Sequence, residues 1–348
     1  MELGVFHEFS RLPGETEADT FATSFEIIDA AERWGLDVMW LAEQHFVTNS
    51  VLASPLAIAA AIAGRTERMK IGTAVQVLPL GNPLRLAEEW ATVDQLSKGR
   101  LIFGVGRSGF ARTYHGYGIS YAESRERFAE ALTVIKQAWT EPAVTFHGTY
   151  YDYDNVNVTP KTYQQPHPPI RVAATTPETF PVLGKQGYPC FAAVRQGNLT
   201  DLIPDIESYR AAYRAAGHPG DGGVFLRIPI YIGETPELAA AEPEQSIMEF
   251  YRGMANQLIE SSKEPGAGDA DLRRTRGEAL LELTYDEARR EKVVIGTPEM
   301  VTERLRALRD ELGITGILAE LNCGRAIPHA KVMRSLQLLC TEVMPNLN

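Results

Sequence analysis

The feature that most constrains the fold is a regular alternation of short apolar segments with longer amphipathic ones. Eight apolar segments are predicted to be strands, at 3–9, 37–43, 70–79, 100–106, 169–175, 190–194, 224–233 and 316–321. Strands that are apolar on both faces and are separated by helices pair in parallel, with each helix crossing over the sheet. Eight such steps predict a (β/α)8 TIM barrel, an α/β fold. A doubly wound open sheet is the alternative.

Capping residues mark where several of the helices begin. A polar residue followed by proline precedes three of them, at Ser54–Pro55, Asn82–Pro83 and Thr297–Pro298. The polar side chain accepts a hydrogen bond from a first-turn amide, and proline suits the first helical position. Gly35 closes the helix predicted over 20–35, because a left-handed residue commonly ends a helix.

The alternation is interrupted in two places. Residues 144–160 are polar, aromatic and alternating, which predicts a hairpin outside the repeat. After the seventh strand, a helix predicted over 236–262 is followed by 263–277, which is rich in Gly, Pro and mixed charge. In a barrel this connection lies on the active-site face. We predict one domain over 1–348 with a mobile lid insertion at about 259–292, and a plain surface loop is the alternative.

Charge and hydropathy exclude several classes of partner. The formal net charge is −11, whereas nucleic acids and anionic membranes bind a basic face. No run of about 18 apolar residues is present, and the start MELGVFHEFS lacks the regions of a signal peptide. Cys190, Cys323 and Cys340 are widely spaced and form no zinc or redox motif. These features predict a cytoplasmic protein that binds neither nucleic acid nor membrane.

GVGRSG (104–109) follows the fourth strand and formally matches the glycine pattern of a dinucleotide site. That site requires a helix directly after the glycines, whereas the continuation FARTYHGYGIS is predicted to be a loop. The glycines still allow the backbone to approach a ligand closely. Arg107 can bind a phosphate through two parallel hydrogen bonds, and a surface salt bridge is its alternative role.

The end of the fifth strand offers a second anion site. VAATTPETF (172–180) places Thr175 and Thr176 before Pro177, which is predicted to begin a helix. Hydroxyls beside the free N–H groups of a helix N-terminus suit an anion, and simple capping by Thr176 is the alternative. With Arg107 after the preceding strand, the two features favour a phosphate-bearing ligand.

Polar residues also end the first two strands. His7 and Glu8 end the first, and Glu43, Gln44 and His45 end the second. A metal site made from these residues is disfavoured, because the seven histidines form no HExxH or similar pair. No G-x-S-x-G motif is present, which disfavours acyl-enzyme chemistry. We therefore predict no metal and treat these residues as candidates for proton transfer.

Several motifs jointly resemble those of the bacterial luciferase-like flavin monooxygenases, particularly the luciferase catalytic chain. They are WLAEQHF (40–46), GTAVQVLP (72–79), NPLRLAEEWATVDQLSKGR (82–100), LIFGVGR (101–107), IGTPEMVTERL (295–305) and VMPNL (343–347). The resemblance covers nearly the whole length. It implies a (β/α)8 barrel with a mobile lid, and binding of reduced FMN at the carboxyl ends of the barrel strands.

The resemblance also implies a set of cofactor-binding residues. Arg107 matches the phosphate-binding arginine, and Thr176 and Thr179 match its hydroxyl partners. Thr175 stands where the luciferase catalytic chain has a glutamate. The other positions that match the flavin surroundings are Phe6, Glu43, Ala74, Val75, Gly106, Phe110 and Ala174. The family has a non-proline cis peptide after the third strand, which is expected here at Ala74–Val75.

Two positions depart from the luciferase catalytic chain. Gln44 stands where that chain has a histidine linked to base catalysis on the aldehyde, and an amide cannot take up a proton near neutral pH. Gly106 replaces a reactive cysteine beside the flavin. The catalytic candidates are therefore His45, His7 and Glu8 as proton carriers, with Gln44 as the altered position. These departures favour flavin and oxygen chemistry without light emission.

The activity that the resemblance implies is that of a two-component flavin-dependent monooxygenase. A flavin reductase supplies reduced FMN, which forms a C4a-peroxyflavin with O2 and oxygenates a small organic substrate. An oxidoreductase of the same superfamily that uses the deazaflavin F420, and a non-catalytic flavin-binding protein, are the alternatives. A homodimer is also implied, through the helices SPLAIAAAIAG (54–64) and NPLRLAEEWATVDQL (82–96), with Glu88 as a contact.

Overall fold

A computed structural model describes residues 1–194, 197–263 and 270–347. Over these residues the strands are β1 (Glu2–His7), β2 (Val38–Leu41), β3 (Lys70–Thr73), β4 (Gln76–Val77), β5 (Leu101–Gly106), β6 (Val144–His147), β7 (Asp152–Val156), β8 (Ile170–Ala173), β9 (Cys190–Ala193), β10 (Val224–Ile232), β11 (Val294–Gly296) and β12 (Gly316–Glu320).

The α-helices of the same residues are α1 (Glu17–Trp34), α2 (Pro55–Arg65), α3 (Pro83–Leu96), α4 (Ala111–Gly116), α5 (Ser124–Thr140), α6 (Thr179–Gln186), α7 (Leu202–Ala215), α8 (Pro236–Ala241), α9 (Glu244–Ser261), α10 (Ala270–Leu281), α11 (Tyr285–Glu291), α12 (Pro298–Leu312) and α13 (His329–Leu338). Short 3-10 turns lie at Leu78–Leu80, Tyr121–Glu123, Leu199–Asp201 and Met344–Asn346, and a π turn at Leu339–Val343.

Eight parallel strands close into a barrel. Their order around the ring is β1, β2, β3, β5, β8, β9, β10 and β12, and β12 pairs again with β1. The short strand β4 follows β3 and pairs with β5, while β11 pairs in parallel with the carboxyl end of β10. The prediction of a TIM barrel is therefore confirmed, and the doubly wound alternative is wrong because the sheet has no open edge in the ring.

Aromatic rings fill the interior of the barrel. The indole of Trp40 occupies space that two glycines leave free, because a Cβ atom at Gly4 or Gly72 would lie within 2.4 Å or 2.2 Å of it. The rings of Trp40 and Phe191 meet edge to face with centroids 5.2 Å apart, and Phe225 lies 6.4 Å beyond Phe191. The interior is thus a packed core, so a ligand can bind only above it, at one end of the strands.

The predicted caps are present. Ser54, Asn82 and Thr297 each accept a hydrogen bond from a backbone amide in the first turn of α2, α3 and α12. Gly35 ends α1 in a left-handed conformation with φ of 92°. The predicted hairpin is also confirmed, as β6 and β7 pair in antiparallel fashion outside the barrel.

Two helix predictions are wrong. Residues 111–116, predicted to be a loop, form α4, because Tyr114 is fully buried and its hydroxyl donates to the carbonyl of Arg107. The single helix predicted over 236–262 is two helices, α8 and α9, separated at Pro243. Proline lacks the N–H for the helical ladder and clashes with the preceding turn, so the helix restarts there.

Helices α8 to α11 form an insertion between the last two barrel strands. A separate apolar cluster packs between the insertion and the segments beside it, made of Ile247, Tyr251, Ala255, Leu258, Leu280 and Ala288 of the insertion with Val293 and Cys323. The predicted lid at 259–292 falls within the insertion, and its residues 264–269 lie outside the described residues. The described part of the lid contains the end of α9 together with α10 and α11, and its mobility remains a prediction.

Candidate functional site

The predicted site residues follow five neighbouring strands of the barrel. Residues 7–8 end β1, 43–45 follow β2, 74–75 follow β3, 106–107 end β5, and 174–176 follow β8. Because carboxyl ends of parallel strands meet at one rim, these residues lie along one arc of the barrel mouth. Their side chains form separate groups within that arc.

The peptide Ala74–Val75 is cis, as the family resemblance predicted. The amide of Ala74 donates to the carbonyl of Leu41 on the neighbouring strand, at 2.8 Å. A Cβ atom at Gly106 would lie 2.6 Å from Cγ2 of Val75 and 3.4 Å from Cβ of Ala173. Val75 therefore fills much of the space that the missing side chain at position 106 leaves free.

The carboxylate of Glu43 is the centre of the first polar group. It accepts hydrogen bonds from Nε2 of His45 at 2.8 Å, from Nε2 of Gln76 at 2.7 Å and from the amide of Val77 at 2.7 Å. The indole of Trp90 donates to Oε1 of Gln76 at 3.1 Å, which directs the Gln76 amide N–H towards Glu43. Burial raises the pKa of the Glu43 carboxyl, and the bonds from His45 and Val77 oppose that rise.

Tyr117 extends this group towards the surface. Its hydroxyl lies 3.1 Å from Nδ1 of His45, and the two rings meet edge to face at 5.1 Å. When Glu43 is ionised it accepts from Nε2–H, so Nδ1 is the acceptor for the Tyr117 hydroxyl. Phe46 packs against both rings, at 6.0 Å from His45 and 5.2 Å from Tyr117. The row Tyr117, His45 and Glu43 thus leads from solvent to a buried carboxylate.

Glu8 belongs to a second polar group. It accepts a hydrogen bond from Nε2 of Gln44 at 3.0 Å, and Nη2 of Arg227 lies 3.6 Å from the same oxygen. Arg227 also makes a two-point contact with Glu320, at 3.0 Å and 2.7 Å, and stacks 3.6 Å above the ring of Phe6. Gln44 is therefore bound to Glu8 and is not part of the row that contains His45.

His7 lies apart from both groups. Phe6 faces Arg227 inside the barrel, so the next residue along the strand faces outwards, towards the helices. The imidazole of His7 packs 4.9 Å from the ring of Phe9, and its buried Nε2 has no hydrogen-bond partner among the described residues. Burial, with a smaller contribution from His329, lowers the pKa of His7 to about 4, so it is neutral near pH 7.

Arg107 and the threonines after β8 form a third group. Nη1 of Arg107 donates to the hydroxyl of Ser124 at 3.2 Å, and the guanidinium has no ion-pair partner in the described part of the chain. The alternative role of Arg107 in a surface salt bridge is therefore not seen there. The hydroxyls of Thr176 and Thr179 lie 3.1 Å apart. Because β5 pairs with β8, both features stand on adjacent strands.

The alternative role of Thr176, simple capping, is not seen. Helix α6 begins at Thr179 and not at Pro177 as predicted, and no side-chain cap is made at its start, where Glu178 precedes it. Residues 175–178 are exposed, so the hydroxyl of Thr176 faces solvent beside that of Thr179. Thr175 is exposed as well, whereas Ala174 is buried and its amide donates to the carbonyl of Phe191 at 2.9 Å.

Phe110 lies at the edge of the third group, half-buried, with the guanidinium of Arg112 4.6 Å above its ring. Over the described residues, no cluster of three or more His, Cys, Asp or Glu side chains has the arrangement of a metal site. In the same part of the chain, no helix combines the length and the apolar character needed to cross a membrane.

Sequence reasoning missed several residues of these groups, among them Arg227, Glu320 and Tyr117. Arg227 and Glu320 are charged positions inside the apolar segments VFLRIPIYIG and GILAEL, and that contrast was a usable signal for a buried ion pair. Tyr117 had no such signal, because it lies in a segment predicted to be a loop and contacts a residue 72 positions away.

The closed barrel with polar side chains grouped at the carboxyl ends of its strands defines a TIM-barrel protein with a candidate active site at that end. The profile of the luciferase-like monooxygenases matches residues 1–316. The chain therefore belongs to the luciferase-like monooxygenase family, and it is an oxidoreductase of the flavin-dependent monooxygenase type.

Relatives with assigned activities include monooxygenases of different kinds. The oxygenase component of the flavin-dependent trigonelline monooxygenase of Acinetobacter baylyi is 25% identical over 99% of this chain and 95% of its own. The alkanal monooxygenase alpha chain of Photorhabdus luminescens is 31% identical over 54% of this chain and 52% of its own. The matched stretch thus spans about half the length of the second relative.

Solved structures share the fold. The oxygenating constituent of 3,6-diketocamphane monooxygenase from Pseudomonas putida, in complex with FMN, superposes with a TM-score of 0.82 at 20% identity over 100% of this chain and 99% of its own. An F420-dependent secondary alcohol dehydrogenase, in complex with an F420–acetone adduct, gives a TM-score of 0.75 at 20% identity over 100% and 99%.

Proposed function

We propose that the protein is the oxygenase of a two-component monooxygenase. It takes reduced FMN from a separate flavin reductase and uses O2 to oxygenate a small organic substrate. The observation that carries this proposal is the third polar group. Arg107 has no ion-pair partner among the described residues, and the exposed hydroxyls of Thr176 and Thr179 stand on the adjacent strand. A cation and hydroxyl donors are the groups that bind a phosphate monoester.

The residues around this group fit the rest of the cofactor. Gly106, Val75 and Ala173 are packed together without polar side chains, which suits the face of a flavin ring. Phe6 on β1 and Phe110 after β5 would be further contacts of the ring, and Ala174 and Thr175, which directly follow β8, precede the two threonines that would bind the phosphate. When bound, reduced FMN supplies the electrons and the ring that activates O2.

The chain's own residues hold the cofactor, exclude water and move protons. Arg107 anchors the phosphate, and the packed barrel interior below the mouth keeps water away from the reacting face. His45 holds a proton on Nε2 against Glu43 and can exchange one through Nδ1 and the Tyr117 hydroxyl. Proton transfer to or from a reacting group by such a histidine is general acid–base catalysis.

One feature supports an activity without light emission. The amide of Gln44 carries no titratable proton, and it is bound to Glu8 at 3.0 Å. We infer that the pocket serves a substrate other than a long-chain aldehyde.

The deazaflavin cofactor F420 is the second candidate. The fold alone supports it, because an F420-dependent dehydrogenase shares the same barrel. The trigonelline monooxygenase, which matches almost the whole chain, is by its name flavin-dependent, and this favours FMN. A non-catalytic flavin-binding role is less well supported, since the row from Tyr117 to Glu43 offers a proton path that mere binding does not need.

Substitution of Arg107 tests the proposed phosphate site. In an anaerobic titration with photoreduced FMN, Arg107→Gln is expected to weaken binding at least tenfold, or about 1.4 kcal/mol and more, because a charge-assisted bond is lost. Riboflavin lacks the phosphate, so its affinity should be equal in both proteins. Arg214→Gln removes an exposed arginine on α7 and is the matched control.

Two outcomes of the titration and one of an aerobic turnover assay separate the candidates. Equal losses for FMN and riboflavin would mean that Arg107 acts on the fold and not on the phosphate. Tighter binding of F420 than of reduced FMN would favour the deazaflavin enzyme. Rapid reoxidation of bound FMN with stoichiometric H2O2, for every organic compound supplied with a reductase, would argue against an oxygenase.

A further inference from the structure

The inner end of the row Tyr117, His45 and Glu43 is a carboxylate surrounded by N–H groups. Oε1 of Glu43 accepts from Nε2 of His45. Oε2 accepts from both the side chain of Gln76 and the amide of Val77, each at 2.7 Å. The Glu43 side chain is 4% exposed, and within the described ranges its ion-pair partner is His45 alone. In this part of the chain, N–H donors and not an arginine or lysine therefore stabilise its negative charge.

Gln76 can present either its N–H or its carbonyl to Glu43, and Trp90 decides between them. The two ends of an amide have the same shape, so neighbouring groups select which of them faces a partner. The indole N–H of Trp90 can only donate, and it donates to Oε1 of Gln76 at 3.1 Å. Gln76 is 7% exposed and Trp90 is fully buried. With the amide reversed, the indole N–H would face the NH2 group and the carbonyl would face the carboxylate, and both contacts would be repulsive.

The groups that titrate near Glu43 are one histidine and two phenols. Tyr114 in α4 and Tyr117 directly after it interact electrostatically with Glu43, and burial raises the pKa of both phenols, so they are uncharged near neutral pH. His45 is the titratable group in direct contact with the carboxylate. Burial raises the pKa of Glu43 and thus favours its protonated form, whereas bound N–H groups favour the ionised form. The donors around Glu43 therefore determine its charge.

We propose that Gln76, oriented by the indole of Trp90, is a positioning residue that keeps Glu43 ionised beside His45. The ionised carboxylate accepts from Nε2–H of the imidazole, and Nδ1 is left to accept from Tyr117. The ring is thereby held in one tautomer, so protons are exchanged through its Nδ1 side. The charge of Glu43 is a property of the protein without ligands, whereas its use in proton transfer rests on the proposed function.

The titration of the Glu43 carboxyl tests this role in the full-length protein without flavin. Carbon NMR of protein with isotope-labelled glutamate follows each carboxyl carbon as the pH changes, and Glu43→Gln identifies the signal of Glu43 by its loss. Gln76→Met keeps the length of the side chain but has no N–H donor. The proton affinity of the Glu43 carboxyl should rise at least tenfold in this variant, because a charge-assisted hydrogen bond to the ionised form is lost.

The indole of Trp90 is tested by a matched pair of substitutions. Trp90→Phe leaves the Gln76 amide free to reverse and should raise the proton affinity of Glu43 at least threefold, which also provides a measurement if Gln76→Met does not fold. Trp139→Phe removes a similarly buried indole, which donates to the Ala87 carbonyl at 2.9 Å, and should leave that affinity within twofold of the wild type. Equal shifts in the two variants would show an effect of packing and would overturn the role of the indole.

An exposed glutamine gives the control for Gln76→Met. Gln95 on α3 donates to the Lys161 carbonyl at 3.0 Å, and Gln95→Met should leave the Glu43 titration unchanged. The same Glu43 titration in Gln76→Met as in the wild type would overturn the inference, because the other two donors would then be sufficient to hold the charge.

The FMN titration keeps this inference separate from the proposed function. If FMN binds through Arg107 and Gln76→Met leaves the Glu43 titration unchanged, the positioning role is wrong and the flavin assignment stands. If Glu43 responds as expected and neither FMN nor F420 binds, the positioning role stands without the proposed oxygenase.

Discussion

His7 is a histidine that the fold keeps neutral. Its imidazole lies in a cavity wall beside α1 and α13, and burial, then the charge of His329, lower its pKa from 6.5 to about 4. The unfolded chain therefore binds the proton more readily than the folded protein does. The stability that neutral His7 contributes is complete above pH 6.5 and is lost as the pH falls towards 4.

Removing this imidazole should reduce the loss of folding stability at acidic pH. Between about pH 7 and pH 4, the free energy of unfolding of the wild type should fall by roughly 3 kcal/mol more than that of His7→Phe, because one pKa unit corresponds to about 1.4 kcal/mol. Urea denaturation at several pH values measures the difference. The exposed His115→Gln should follow the wild type. Parallel profiles for the wild type and His7→Phe would contradict the expectation.

At the residue scale, the sequence indicated which residues lie at the barrel rim, but it did not indicate which of them contact each other. Polar residues at the ends of apolar strands singled out Glu43, Gln44 and His45 correctly as rim residues. Their partners come from distant segments: Gln44 contacts Glu8, 36 positions away, and His45 contacts Tyr117, 72 positions away. Side-chain directions at the rim depend on tertiary packing, which spacing along the chain does not encode.

At the scale of elements, Lys292, which directly follows α11, links the C-terminal end of the insertion (α8 to α11) to the barrel. This lysine is 5% exposed, and its ammonium donates to the carbonyl of Gly197 at 2.6 Å, in the loop after β9. The ring of Tyr251 in α9 lies 5.9 Å from the same ammonium, and burial lowers the pKa of the lysine. One side chain thus joins α9, the end of α11 and the β9–α7 loop.

Replacement of this lysine should loosen the insertion locally. Lys292→Met keeps the apolar stem but leaves the Gly197 carbonyl without its donor, at a cost of about 1–3 kcal/mol. Hydrogen–deuterium exchange should rise in α9, α11 and the loop before α7, and remain unchanged in the barrel strands. Lys263→Met, which removes an exposed ion pair with Glu260, is the control. A uniform rise of hydrogen–deuterium exchange over the barrel strands would show that the substitution destabilises the whole fold and not the insertion alone.

Elements were the part of the fold that sequence predicted best. All eight barrel strands were predicted, because strands buried on both faces give continuous apolar runs. The segment 70–79 was predicted as one strand, whereas it forms two short strands, β3 and β4, with Ala74 and Val75 between them. The error at α4 arises because tertiary burial of Tyr114 makes a segment helical that was predicted to be a loop, and the error at Pro243 arises because a single proline interrupts a helical pattern.

At the scale of the whole molecule, the proposed homodimer uses α2 and α3, which pack side by side on the barrel surface. The outer face of α2 presents small residues, including exposed Ala57 and Gly64, and α3 exposes Glu88 and Leu96, the latter at 57%. Small side chains allow two helices to approach closely, and an exposed leucine gains from burial in an interface. This face therefore remains our proposal for the contact between two copies.

A bulky charge in the middle of this face should separate the copies. Ala57→Arg introduces a long cationic side chain where a second α2 would pack, so light scattering after size-exclusion chromatography should give the monomer mass for the variant and twice that mass for the wild type. Ala57 is exposed in the single chain, and the thermal midpoint at low protein concentration should be retained. Ala129→Arg, on the exposed face of α5, should remain dimeric. A dimeric Ala57→Arg protein would place the contact on another face of the barrel, and a monomeric wild type would remove the dimer altogether.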